Sequence, residues 1–194
     1  METILKNKNL KVDVQLKILV HVCCAPCFTY PHKRLIEDGH EVVGFFYNPN
    51  IHPYTEYRAR LHSLQRYSSL KPVKIIYKDE YPLTEFLEGQ LQFINQGKNR
   101  CEFCIQMRMD ETAKAAWENG FDEFTTTLLE SKYQPHDMIK KIGENLAKKY
   151  EIKFHYEDFR KGWKESISIS KDLELYRQKY CGCIFSELER YRDK

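Results

Sequence analysis

Seven cysteines stand in three tight groups, at Cys23, Cys24 and Cys27, at Cys101 and Cys104, and at Cys181 and Cys183. In a reducing compartment, an odd number grouped in this way reads as metal ligation or thiol redox chemistry before structural disulfides. Scattered buried thiols acting as small apolar side chains would show no grouping. The pattern asks for a fold in which distant segments of chain converge.

The apolar pattern supplies one. KILVHVCC, from Lys17 to Cys24, is a short β-branched run that suits a strand buried on both faces. Pro26 fits a first helical turn, the helical pattern runs to Asp38, and Gly39 stops it. HEVVGFFYNPN then opens a second apolar run, closed by Asn48 and Pro49. Thr55 to Leu70 reads as helix, Val73 to Tyr77 as strand, and Leu83 to Ile94 as amphipathic helix. Helix is again expected from Cys101 to Trp117, strand from Phe121 to Leu129, helix over 137–150 and a fifth strand from Ile152 to Phe159. Strands alternating with helix-length segments imply βαβ units. The expectation is therefore an α/β fold: one Rossmann-like domain over residues 1–194, with a mostly parallel sheet of about five strands flanked by helices. The last thirty or so residues read as a helical segment wrapping the site or the sheet edge.

Composition narrows the function classes. No run approaches the roughly eighteen consecutive apolar residues of a bilayer span, and METILKNKNLKVDVQLK has no uninterrupted apolar stretch behind its charges. Membrane and secreted readings fall away, and a cytoplasmic site is expected. A formal net charge of +3 permits a nucleic-acid partner without demanding one.

In open parallel sheets the working crevice lies beyond the carboxyl ends of the strands. Cys23 and Cys24 fall at that end of the first strand, Cys27 in the helical turn that follows, and Cys101 and Cys104 three apart at the start of another helix. Helix N-termini stabilise thiolates, the form that binds metal or attacks sulfur. Spacing alone leaves tetrahedral zinc, a cubane iron–sulfur cluster and thiol redox open. Adjacent cysteines in an extended strand should diverge, a poor fit to one small ion and a workable one to a larger cluster or two neighbouring metals. Cys24-Ala-Pro-Cys27 weakly resembles a thioredoxin-type dithiol. Cys181-Gly182-Cys183 would close a small strained ring if bridged. Such a bond is easily reduced and suits electron relay, while metal ligation by both thiols is the competing reading.

Taken in order, HVCCAPC (His21 to Cys27), CEFC (Cys101 to Cys104) and CGC (Cys181 to Cys183) resemble the epoxyqueuosine reductase QueH family. The resemblance implies a two-electron reductive deoxygenation, without cobalamin, of the epoxycyclopentanediol of epoxyqueuosine to queuosine in the anticodon loop of tRNA. It implies that Cys23, Cys24, Cys101 and Cys104 hold a [4Fe-4S] cluster, that Cys181 and Cys183 form a redox-active disulfide, and that an additional mononuclear iron sits nearby, with Cys27 as the thiol left over for it. An electron donor is a further implied partner.

Further residues carry weaker signals. His21, His52, Glu130, Tyr133 and His136 lie near predicted strand ends and are candidate proton donors, although packing or surface roles suit each of them as well. Arg58, Arg60 and Arg66, Lys98 with Arg100 and Arg108, Lys132, and Arg160-Lys161 with Lys164 are candidate phosphate contacts, and Tyr54, Tyr57, Tyr133 and Trp163 candidate stacking surfaces. Three rival functions compete with the reductase. An ATP-dependent tRNA sulfur transferase would need a glycine-rich phosphate loop after the first strand, where this chain has CCAPC. A zinc-stabilised RNA-binding module and an ATP-independent thiol oxidoreductase are the second and third.

Overall fold

The computed structural model describes residues 15–193, so the charged stretch at 1–14, which bears on export signals, lies outside the described residues. Five strands form one all-parallel sheet in the order β3-β2-β1-β4-β5. They are β1 (Lys17–His21), β2 (Glu41–Phe46), β3 (Lys74–Tyr77), β4 (Glu123–Thr126) and β5 (Lys153–Phe154). Seven helices accompany them: α1 (Ala25–Glu37), α2 (Tyr54–Leu70), α3 (Leu83–Asn95), α4 (Arg100–Glu118), α5 (His136–Tyr150), α6 (Trp163–Asp172) and α7 (Ile184–Tyr191). The expected α/β class with flanking helices is the observed one.

β1 is central because all of it beyond its first residue is out of water: Ile18, Leu19, Val20 and His21 are fully buried, as a strand covered on both faces requires. From β1 the chain steps outward to β2 and β3, then crosses back over the sheet to pair β4 on the other side of β1. Right-handed crossovers put α1 and α2 on one face and α4 and α5 on the other, in keeping with the contacts between α1 and α2 and between α4 and α5. The reversal places a switch point between the carboxyl ends of β1 and β4, where the loops on either side diverge and leave a crevice.

Three expected elements are shorter than their patterns suggested. The run from Phe121 to Leu129 is strand only to Thr126, because the Thr126 hydroxyl accepts from Leu128 N at 3.1 Å and starts a 3₁₀ turn over Thr127–Glu130. β5 pairs β4 at only two positions before Asp158 caps a second 3₁₀ turn, so its run to Phe159 does not continue as strand. The C-terminal part is helical in α6 and α7, but the chain between them is irregular and carries the CGC turn. Among the described residues, no helix is long and apolar enough to cross a membrane.

Candidate active site

The site is built from the ends of β1 and β4 inward. β1 stops at His21, and Val22 N still reaches Phe45 O at 2.8 Å, but Cys23 turns off the ladder in a bend. Thr127, just past β4, fastens that bend, accepting from Cys23 N at 3.1 Å and donating to Cys23 Sγ at 3.3 Å. Cys24 is the residue before α1, with extended backbone and no side-chain cap on the helix, and Pro26 occupies the first turn. The expected divergence of Cys23 and Cys24 is therefore corrected: because the chain has left the strand, their sulfurs lie 3.8 Å apart. With Cys27 they form a buried trio, all three sulfurs within 4.8 Å of one another. Contact with the Cys24 and Cys27 thiols holds the Cys23 thiol well below its ordinary value, with Thr127 assisting. Burial pushes Cys24 up, and its bonds to Cys23 and Cys24 push Cys27 up.

Cys101 and Cys104 open α4, whose first turn is capped by Asn99 accepting from Cys101 N at 2.8 Å. Burial pushes the Cys104 thiol up to about 12, with Arg108 working against it. The charges of Cys181 and Cys183 raise both Cys101 and Cys104, so the CGC turn is near this pair; among the described residues the sulfurs gathered within 4.8 Å of one another are those of Cys23, Cys24 and Cys27, and Cys101 and Cys104 stand outside that group. Arg108 stands among the three cysteine segments, and its charge is felt by Cys104, Cys181 and Cys23. It is 1% exposed, so it is a buried partner of sulfur and not the phosphate contact suggested by its place in a basic stretch.

The CGC turn hangs from a second buried arginine. Arg60 donates to Cys181 O at 3.0 Å and Tyr180 O at 3.1 Å, and its own partner is Glu56 at 2.8 Å. Tyr176 O–H donates to Glu56, Tyr180 O–H donates to His52 O, and His52 N donates to Gly182 O at 2.7 Å. Gly182 has φ +132°, and an added Cβ would stand 3.2 Å from both Arg60 Nη1 and Ile51 Cγ1, so glycine is required there. Cys181 is exposed and accepts from Gln134 Nε2 at 3.2 Å, whereas Cys183 is buried and its sulfur accepts from Ser186 N at 3.4 Å, capping α7. Both are free thiols. Arg60 and Tyr57 are fully buried, which removes them from the phosphate and stacking candidates.

Of the candidate proton donors, Glu130 is the one beside sulfur and a cleft. Burial raises its pKa to about 8, while the nearby Ser166 and Cys27 work in the opposite direction. His21 is fully buried, bonded to Thr126 at 2.9 Å, and lowered to about 4 by burial and then by Arg108. His52 is packed against Tyr81 and Phe86, and burial lowers both His52 and His136. Tyr133 is 76% exposed and sits edge-on to Trp163 at 6.3 Å, with Lys132 Nζ 5.0 Å from its ring. Tyr54 and Lys164 are exposed. The remaining basic candidates have protein partners: Arg58 bonds His62, Arg66 bonds Leu173 O and Glu174, Arg100 pairs with Glu189, Arg160 with Asp158 and Lys161 with Glu157, and Lys98 lies over Phe93.

Sequence reasoning missed Thr127, Gln134 and Gln178, each of which donates to a cysteine sulfur; Gln178 Nε2 reaches Cys27 Sγ at 3.2 Å. Thr127 had a signal, since it ends the second strand of the switch point. The two glutamines had none.

The family model described as epoxyqueuosine reductase QueH matches residues 18–189. Relatives of that name include one from Dehalococcoides mccartyi, 37% identical over 90% of this chain and 94% of its own length. One from Thermotoga maritima is 38% identical over 89% and 91%, and one from Streptococcus pyogenes 34% identical over 91% and 72%. A model match across most of the sequence, joined by relatives matched over nearly their whole length, places the chain in the epoxyqueuosine reductase QueH family.

Proposed function

We propose that this chain is a cytoplasmic oxidoreductase that converts epoxyqueuosine to queuosine in tRNA, the last step of queuosine biosynthesis. In this reading Cys23, Cys24, Cys101 and Cys104 hold a [4Fe-4S] cluster, Cys27 faces an additional iron, and Cys181 and Cys183 are the redox-active pair. One observation carries it. Arg108 is a buried guanidinium with no carboxylate partner among the described residues; it bonds the sulfur of Cys104, and its charge is felt by Cys181 and Cys23. A buried cation is tolerated only with compensating negative charge, and thiolates gathered around an iron–sulfur centre supply it. The chemistry of the donor set supports the reading: every proposed cluster ligand is sulfur, all but the half-buried Cys101 are buried, and donors from Thr127 and Gln178 reach the sulfurs of Cys23 and Cys27 as the polar surroundings that tune such centres.

When bound, the cluster and its neighbouring iron supply one-electron transfer and a Lewis acid for the departing oxygen. The protein's own groups balance the rest. Epoxide, two electrons and two protons give alkene and water; oxidation of the Cys181 and Cys183 thiols to a disulfide releases two electrons and two protons. An external donor then restores the dithiol. Arg60 holds the turn so that both thiols stay near the Cys101 and Cys104 pair. Tyr133 and Trp163, with Lys132 beside them, offer the tRNA an exposed aromatic and basic rim.

The test is anaerobic purification with iron and sulfide analysis, then incubation with epoxyqueuosine-containing tRNA and a strong reductant. A brown protein that forms queuosine is expected, and Cys181→Ser should cut turnover while keeping the cluster's absorbance. A second reading, a zinc-stabilised RNA-binding module, draws on the 3.8 Å between Cys23 and Cys24, since bonds of about 2.3 Å to one tetrahedral ion set its thiolates about 3.8 Å apart. It predicts a colourless protein with one zinc and no turnover.

A further inference from the structure

A small cleft opens between α1 and α6, with a volume of about 100 Å³ and walls that include Pro26, Cys27, Glu130, Trp163, Ser166 and Gln178. Its polar lining is unusual. Glu130 is 1% exposed and Ser166 3%; Ser166 and Cys27 stand close enough to the Glu130 carboxyl to lower its pKa, yet among the described residues no well-formed hydrogen bond reaches either oxygen of Glu130, Ser166 Oγ or Gln178 Oε1. Buried polar atoms in folded proteins are almost always satisfied, and each orphan is costly. Four on the wall of one small cleft describe the complement of a missing molecule.

Resting on the function proposed above, we infer that this cleft is the subsite for the epoxycyclopentanediol ring, with Glu130, Ser166 and Gln178 binding its hydroxyls. Three features select this ligand class. The orphans are the carboxyl group of Glu130, one amide oxygen and one hydroxyl, a set that both gives and accepts hydrogen bonds and so suits a compact polyol. Pro26, Trp163 and Ile167 give the cleft an apolar side that suits the carbon face of a ring, while Ser170 and Arg177 add polar groups to its lining. The volume is far below the roughly 300–1,000 Å³ of pockets that enclose a drug-sized molecule, so the ring enters and the base stays outside. Location agrees as well. Gln178 spends its Nε2 on Cys27 Sγ at 3.2 Å, so the group that binds the ring also touches the sulfur trio where the epoxide oxygen must leave.

The experiment uses the full chain loaded anaerobically with iron and sulfide, and two tRNA preparations, one carrying epoxyqueuosine and one carrying unmodified guanosine at the same position. Wild type should bind the epoxyqueuosine form more tightly. Gln178→Leu, a change in a half-exposed irregular segment that the fold tolerates, and Ser166→Leu, which fills the cleft, should both erase that preference. Each should raise KM for the modified tRNA about tenfold, as expected for lost hydrogen bonds to the ring. In Ser166→Leu, whose side chain makes no bond to a cysteine sulfur, iron per chain and affinity for unmodified tRNA should stay at the wild-type level. Unchanged KM in both variants would overturn the inference and leave the cleft to water. Loss of one iron per chain in Glu130→Gln would overturn it too, by making that carboxylate a metal ligand. If wild type itself forms no queuosine, the proposed reaction falls first and takes the ring assignment with it, and no variant is needed to see it.

Discussion

Arg108 donates through Nε to the carbonyl of Cys104 at 3.0 Å and through Nη2 to the sulfur of the same residue at 3.2 Å, one turn back along α4. The two-pronged contact fixes the guanidinium over the cysteine, and it is specific to arginine geometry. Arg108→Met should leave the gathered sulfurs without their cation, a loss of about 3–5 kcal/mol if they are ionised. The expected result is a chain that purifies with much less iron, with Arg108→Lys intermediate because it keeps the charge and loses one prong. Full iron content in Arg108→Met would refute the charge-balance argument.

Gly182→Ala places a Cβ at φ +132° and 3.2 Å from Arg60 Nη1 and Ile51 Cγ1. Backbone strain of this kind costs about 1–3 kcal/mol. For a chain of this size that lowers the melting temperature by roughly 2–4 °C per kcal/mol, provided unfolding is two-state. Displacement of the turn should also expose Cys183, which is 6% exposed, so its alkylation should quicken. Wild-type melting and wild-type alkylation together would refute the prediction.

Glu130 has a folded pKa near 8 against an ordinary value of 4.5, with burial as the main cause. Between those two values the folded chain holds a proton that the unfolded chain has lost, so this group makes stability fall as pH rises from about 4.5 to about 8. Each unit of the raised pKa corresponds to about 1.4 kcal/mol once the pH is above both values. Urea midpoints of the iron-free protein measured across that window should show a downward slope that Glu130→Gln flattens. Parallel slopes in the two proteins would mean that the carboxyl is solvated.

Thr127→Val keeps the shape of the side chain and removes both of its bonds to Cys23. Because donation from Thr127 helps to lower the Cys23 pKa, the variant should raise it and slow alkylation of Cys23 in the iron-free protein near neutral pH. Stability should fall by about 1 kcal/mol for the lost backbone contact. An alkylation rate equal to wild type would show that Cys24 and Cys27 alone set the thiolate.

Much of the architecture was legible because apolar runs are punctuated: KILVHV is buried as its composition implies, and α1 ends at Glu37 with Gly39 at φ +85° just beyond. β4 and β5 were overextended because FTTTLL carries strand propensity throughout, whereas a threonine hydroxyl that caps a turn leaves no mark in a propensity scale. The sulfur groups were legible from spacing. Their cations were not. Arg60 follows Glu56 by one helical turn, the pattern of an ordinary surface pair, and only the packed fold shows it buried against the backbone of Tyr180 and Cys181. Arg108 lies in a basic stretch that reads as a solvated face until the fold turns it toward Cys104.

The two sides of the crevice differ in how they are anchored. β1 has a hydrogen-bonded strand on each flank, and Cys23, two residues past its end, is fastened to Thr127 just beyond β4. The CGC turn has no ladder of its own and is suspended chiefly from one guanidinium and the backbone of His52. The crevice therefore works like a vice with one fixed jaw and one sprung jaw. Whatever yields to let a tRNA loop in yields on the side of the irregular strap between α6 and α7, at the expense of hydrogen bonds that re-form when the loop departs.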